Sequence, residues 1–167
     1  MASWAKGADR VADLIERRQL QRVIGDPGTV GSLLAAARRH VDSARLTANG
    51  DPEGAYVLAY DAARKSATAV LAHQGLRPST AGGHVALIEA TGAQFPGVPG
   101  LSSLDRIRRR RNQAEYPDPR SYDPITTEEA DDAIHVASDC IASVERLLEL
   151  DELGIFLGDP FSRPVTE

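Results

Sequence analysis

Apolar residues recur through most of this chain at intervals of three and four, the spacing that builds one stripe along an α-helix. In Ala8–Ile24 the stripe is Val11, Leu14, Ile15 and Val23, and it stops at Gly25-Asp-Pro-Gly. In Thr29–Ala48 it is Val30, Leu33, Leu34, Ala37, Val41 and Ala44, ending at the stop signal Asn49-Gly50. Pro52–Gln74 opens with proline in its first turn and Glu53 behind it, as helix N-termini prefer. Its stripe is Tyr56, Tyr60, Ala63, Ala67, Val70 and Leu71, with Gly75 as the expected C-cap. A shorter helix is expected over Gly83–Ala93, followed by the loop Phe95–Gly100 and a helix over Leu101–Tyr116. That helix should stop before Pro117, because a residue preceding proline avoids the helical region. Pro117–Pro124 holds three prolines and reads as a stiff linker. Thr126-Thr-Glu-Glu129 is a capping box that opens a last helix running to about Glu152. Its Ala130, Ala133, Ile134, Ala137, Cys140, Ile141, Val144, Leu147 and Leu148 form a heptad-like seam. No convincing period-two alternation appears, so no strand is expected. The pattern predicts an all-α fold, an up-down antiparallel bundle of five to six helices. One domain should cover residues 1–152, with residues 153–167 as a C-terminal tail. In that tail Ile155, Phe156, Leu157 and Phe161 are candidates to dock on the body or on a partner.

Composition narrows the class. With 167 residues, 42 % hydrophobic and only 5 % aromatic, the chain can build one core, and its many alanines suit closely packed helices. No run of eighteen apolar residues occurs, so no membrane span is expected. The opening MASWAKGADR lacks the apolar stretch of a secretory signal. Cys140 is the one cysteine, which excludes an internal disulfide and a thiolate zinc site, and the expected location is cytoplasmic.

Charge is unevenly spread. Residues 1–122 carry 17 Lys/Arg and 12 Asp/Glu, whereas residues 123–167 carry 2 and 12. The net charge of −5 therefore leaves room for a local phosphate site. The acidic half reads mostly as the solvated face of the last helix.

The densest positive charge lies in Leu101–Pro117, LSSLDRIRRRRNQAEYP, with Arg106, Arg108, Arg109, Arg110 and Arg111 on one helix. At about 100° per residue, Arg111 falls about 20° from Leu104, between Ile107 and Ala114. Arg106, Arg109 and Arg110 are expected to point to solvent. A guanidinium does not shed its charge, so on an apolar face Arg111 needs a carboxylate, a phosphate or a dimer cleft. Glu115, four residues on, is a local ion-pair partner. Asp61, in the middle of the Pro52–Gln74 helix, is a second, and it has its own local partners in Arg64 and Lys65.

Arg111-Asn112-Gln113-Ala114-Glu115-Tyr116 resembles the active motif of the HEPN superfamily, in which an arginine and a polar residue precede three variable residues and a histidine. Tyr116 stands at the histidine position. The segment Ala55-Tyr-Val-Leu-Ala-Tyr-Asp-Ala-Ala-Arg-Lys-Ser-Ala-Thr-Ala-Val-Leu is similar to the family's second core helix, with Asp61 nearest to the polar or acidic residue that faces the motif in many members. The resemblance covers roughly Ser32 to Leu150, and the arginine run is similar to that of an actinobacterial branch. It implies an all-helical, often dimeric protein of toxin–antitoxin, defence or RNA-processing systems. In active members it implies metal-independent RNA cleavage, in which the ribose 2′-hydroxyl attacks the adjacent phosphate. The arginine stabilises the charge that builds there and the histidine moves a proton. Carried over residue by residue, the implied catalytic set is Arg111, Asn112, Glu115, Tyr116 and Asp61. Arg108, Arg109 and Arg110 are the expected RNA contacts, and no metal or other cofactor is expected. Single-stranded RNA, a second copy of the chain, and an antitoxin or nucleotidyltransferase are the implied partners.

Tyrosine, with an ordinary pKa of about 10, is a poor proton carrier near neutrality. Glu115 is a base only if its surroundings tune it. Three readings follow: an RNA-cleaving toxin or defence effector, a degenerate module that binds RNA, a nucleotide or a protein without cleaving, and a purely structural interaction protein. None of His40, His73, His84 and His135 forms a metal-type pair with another. His84, after Gly82-Gly83 at a helix start, either reaches a phosphate or covers its own helix. His135 is expected beside the apolar seam.

Overall fold

Three long helices form the centre of the molecule. The computed structural model describes residues 4–157, and among them the elements run α1 (Ala8–Glu16), β1 (Leu20–Arg22), α2 (Pro27–Thr47), α3 (Pro52–His73), β2 (Leu76–Pro78), α4 (Gly83–Gln94), α5 (Leu104–Glu115) and α6 (Thr127–Leu148). The fold is all-helical apart from β1 and β2, which form a short antiparallel ribbon with Gln21 opposite Arg77. α3 packs against α2, α4, α5 and α6. Its Ala55, Ala59, Ala62, Ala63, Ala67 and Ala69 are all fully buried. Small side chains on several faces let neighbouring helices approach closely from each.

Helix starts follow local chemistry. Asp26 caps α2 by accepting from the amides of Gly28 and Thr29, and Asp51 caps α3 by accepting from Gly54. Proline occupies the first turn of each, where its missing N–H costs nothing. At α6 the Glu129 amide donates to Thr126 Oγ1 at 3.2 Å, and the Thr126 amide donates to Glu129 Oε2 at 2.9 Å, completing the box. Gly75 sits just past α3 at φ +71°, the conformation glycine adopts most cheaply.

The first predicted helix is corrected. It ends at Glu16, and the chain turns into β1. Arg18 adopts φ 59°, with its amide donating to Ile15 and that of Gln19 donating to Leu14. This is the closing turn of a helix with arginine where glycine usually stands, so no residue signal marked it. The expectation of no strand falls with it. The last helix is also shorter than expected, stopping at Leu148. Beyond it Leu153 and Phe156 are buried: the Phe156 amide donates to the Gln74 carbonyl, and Arg22 donates to the Phe156 carbonyl while lying 5.2 Å over its ring. Of the docking candidates Phe156 is seated on the body, Ile155 and Leu157 are exposed, and Phe161 lies outside the described residues.

The loop before α5 fixes how that helix is delivered. Gly100 has φ +80°, and a Cβ there would lie 2.3 Å from the Cys140 nitrogen and 2.5 Å from its Cα. The loop backbone therefore lies directly on the α6 backbone. From Gly100 a 3₁₀ turn over Leu101–Ser103 leads into α5, which buries Leu104 and Ile107.

Candidate functional site

The arginines of α5 divide into three sets. Arg106 and Arg110, four apart, turn towards α6. Arg106 donates to Asp132 at 2.7 Å, and Arg110 donates to both carboxylate oxygens of Glu129 at 2.7 and 3.1 Å. Arg110 also reaches the carbonyls of Asp123 and Pro124, and its side chain is only 16 % exposed. The expectation that Arg110 points to solvent as an RNA contact is therefore corrected: it fastens α5 to α6. Arg106 is paired on the same side. The acidic start of α6 is accordingly more than a solvated face, since two of its carboxylates receive the α5 arginines. Hydrogen bonding from Arg110 comes first among the causes that hold the Glu129 carboxyl down at about 2.

Arg109 faces outward. Its side chain is 71 % exposed, with Nε donating to Asp105.

Arg108 and Arg111 turn towards α3. Arg108 donates to Asp105 at 2.9 and 3.1 Å. Arg111 places its guanidinium carbon 5.4 Å above the centre of the Tyr60 ring. It donates to Glu115 at 2.6 Å and lies 3.5 Å from the Asn112 side-chain oxygen, while its buried Nε has no hydrogen-bond partner among the described residues. An arginine lodged on a buried aromatic ring is held by the ring's negative face, and here its two terminal nitrogens face Glu115 and Asn112. The placement of Arg111 on the inward face follows the helical spacing.

Asp61 does not pair with Arg111; of its two expected pairings, the local one with Arg64 and Lys65 is the one made. Its carboxylate takes Arg64 and Lys65 from its own helix, and His40 Nδ1 from α2 lies 2.8 Å away. Burial alone would raise its pKa, but the hydrogen bonds from Lys65 and Arg64 prevail and hold it below the usual carboxylate range. Local pairs three and four residues apart win because they need no tertiary alignment.

Tyr116 stands apart from Arg111. It caps the end of α5 with its side chain 81 % exposed, in a depression lined by Arg110, Gln113, Asp118, Ser121 and Asp123. Five residues is about 140° of helical rotation, so motif positions 111 and 116 open on different sides.

The residues that spacing did not bring together are Tyr60 and His84. His84, in the first turn of α4, has Nδ1 3.1 Å from the Tyr60 hydroxyl. Tyr60 is buried and its pKa is raised by that burial. The His84 pKa is lowered, first by partial burial and then by the positive charges of Arg64, Arg111 and Arg108. Tyr60 read as an ordinary stripe residue, and only the His84 position at a helix start hinted at a role. His135 is exposed, with Nδ1 2.8 Å from the Asp131 carbonyl in its own helix, and so does not lie within the seam. Among the described residues no group of three His, Cys, Asp or Glu side chains is arranged to hold a metal ion. No helix there is long and apolar enough to cross a membrane.

These features define an all-helical bundle with an arginine-bearing helix set against an aromatic ring of its central helix. The HEPN domain family model matches residues 30–148, which span α2 to α6, and the chain belongs to that family. No curated protein and no solved structure gives a match.

Proposed function

We propose that this HEPN protein acts on single-stranded RNA through the face of α5 that meets α3, as a metal-independent endoribonuclease of a toxin–antitoxin or defence module. The observation that carries the reading is Arg111: a guanidinium seated on the Tyr60 ring, anchored on one side by Glu115 and with its buried Nε unpaired. A phosphodiester takes the terminal nitrogens of this group in exchange for Glu115. Arg108 brings a second positive charge to the same side. In cleavage Arg111 stabilises the charge that develops on phosphorus oxygens as the 2′-oxygen attacks. A second copy of the chain packed across α5 would pair two such sites, and an antitoxin protein or a nucleotidyltransferase is the proposed partner.

The exposure of Tyr116 favours a second reading, an RNA-binding module in which the motif's last position takes no part in chemistry.

Fluorescence anisotropy with a labelled, uncleavable single-stranded RNA tests the shared element of both readings. Arg111→Ala should weaken binding by about tenfold to a hundredfold, the worth of a charge-assisted hydrogen bond. Arg109→Ala removes the same charge from the outer face and should cost less than about threefold. Equal losses with equal changes in salt dependence would show a diffuse basic surface instead of a site.

A further inference from the structure

The family motif leaves this protein without a proton carrier at Tyr116, yet an imidazole reaches the tyrosine on which the same arginine lies. Tyr60 touches both groups: Arg111 lies over its ring and His84 meets its hydroxyl. His84 is exposed to solvent and lines a cavity of about 300 Å³ together with Arg64, Arg77, Ser79 and Thr80. Two guanidiniums and the hydroxyls of Thr68, Ser79 and Thr80 in one cleft suit a phosphate and its ribose. This cavity is separate from the depression that holds Tyr116.

We propose that His84 is the proton-transfer residue of the site, acting on RNA held between Arg111 and the Arg64–Arg77 cavity. The proposal rests on the RNA-directed reading above. With a proton on Nδ1, donated to the Tyr60 hydroxyl oxygen, Nε2 offers its lone pair to the cleft. The charged and titratable groups facing the ring are Tyr60, Asp61 and Arg64 from α3, Arg108 and Arg111 from α5, and Arg77 from β2. The three arginines of α3 and α5 and the ring's partial burial favour the neutral form, and Asp61 opposes them. A neutral imidazole at pH 7 is the form a general base requires.

His84 Nε2 takes the proton of the ribose 2′-hydroxyl while the 2′-oxygen forms a bond to phosphorus. The bond from phosphorus to the 5′-oxygen breaks, and that oxygen takes a proton from water. The products are a 2′,3′-cyclic phosphate and a 5′-hydroxyl. His84 then returns its proton to water. Arg111 and Arg64 carry the negative charge of the phosphorane oxygens, and Tyr60 acts as a positioning residue that holds the imidazole ring at Nδ1.

The test is cleavage of a labelled single-stranded RNA in EDTA, with product ends analysed for cyclic phosphate, beside anisotropy on the uncleavable RNA. Wild type should cleave, and kcat/KM should rise with pH through a limb whose midpoint lies below the ordinary histidine value of about 6.5. His84→Gln should lose about a hundredfold or more in rate and lose that limb, with binding kept within about twofold. Tyr60→Phe should keep the limb but move its midpoint, and Tyr116→Phe should cleave like wild type. Thermal melts establish that His84→Gln is folded. Wild-type cleavage rates in His84→Gln would overturn the proposal. Binding without cleavage by wild type would overturn it and leave the RNA-binding reading standing. Absence of binding by wild type would overturn both.

Discussion

Replacing Gly100 by alanine tests whether the close approach of the loop to α6 sets the position of the arginine helix. Two costs add at this residue. Its φ of +80° is one that L-residues avoid, at about 1–2 kcal/mol. The new Cβ would also meet the Cys140 nitrogen at 2.3 Å, the Cys140 Cα at 2.5 Å and the Asp139 carbonyl carbon at 2.9 Å. These are backbone atoms of a long buried helix and do not swing aside as a side-chain tip would. Overpacking of this kind costs about 1–3 kcal/mol. Together the two give about 2–5 kcal/mol, which at a urea dependence of about 2 kcal/mol per molar lowers the unfolding midpoint by about 1–2.5 M. Gly97 supplies the control. It has φ +73° with nothing within 4 Å of the added Cβ, so Gly97→Ala should lower the midpoint by less than about 1 M. Urea titrations of both variants followed by circular dichroism give the comparison. Equal midpoints for the two would refute the contact argument, because the left-handed cost is common to both. If Gly100→Ala folds by displacing α5, its RNA affinity should fall while that of Gly97→Ala is unchanged.

Two further outcomes follow from polar pairs. Gln74 and Gln94 are buried and exchange reciprocal amide hydrogen bonds of 2.7 and 3.1 Å; Gln94→Leu should cost about 2–3 kcal/mol in urea unfolding by stranding Gln74, and adding Gln74→Leu should recover part of that loss. Glu129 titrates at about 2 when folded, against an ordinary value of 4.5, so its contribution is complete above pH 4.5 and is lost as the pH falls towards 2. Stability measured across that window should fall less steeply in Glu129→Gln than in wild type. A steeper fall in the variant would show the sign to be wrong.

The helical bundle was legible because its signals are local. Pro52, Thr126 with Glu129, and Gly75 each act within a few residues of themselves, and the structure uses all of them. The break in α1 was not, because Arg18 takes a left-handed conformation that arginine does not advertise. At the site, helical spacing put Arg111 on the inward face, since position on a helix is a matter of rotation alone. The same reasoning misplaced Arg110, because its direction depends on Glu129 of another helix. The Tyr60–His84 contact joins α3 to α4 across 24 positions of sequence and depends on how the ribbon and Gly82 turn the chain, which no periodicity records.

A crystal structure of the protein with a short single-stranded RNA lacking 2′-hydroxyls tests the central claim most directly. A phosphate should lie within hydrogen-bond reach of the Arg111 guanidinium, still seated on the Tyr60 ring, with the adjoining sugar beside His84 in the Arg64–Arg77 cavity. RNA lying along Arg109, or in the depression beside Tyr116, with Arg111 closed onto Glu115 and the Tyr60–His84 face empty, would contradict it.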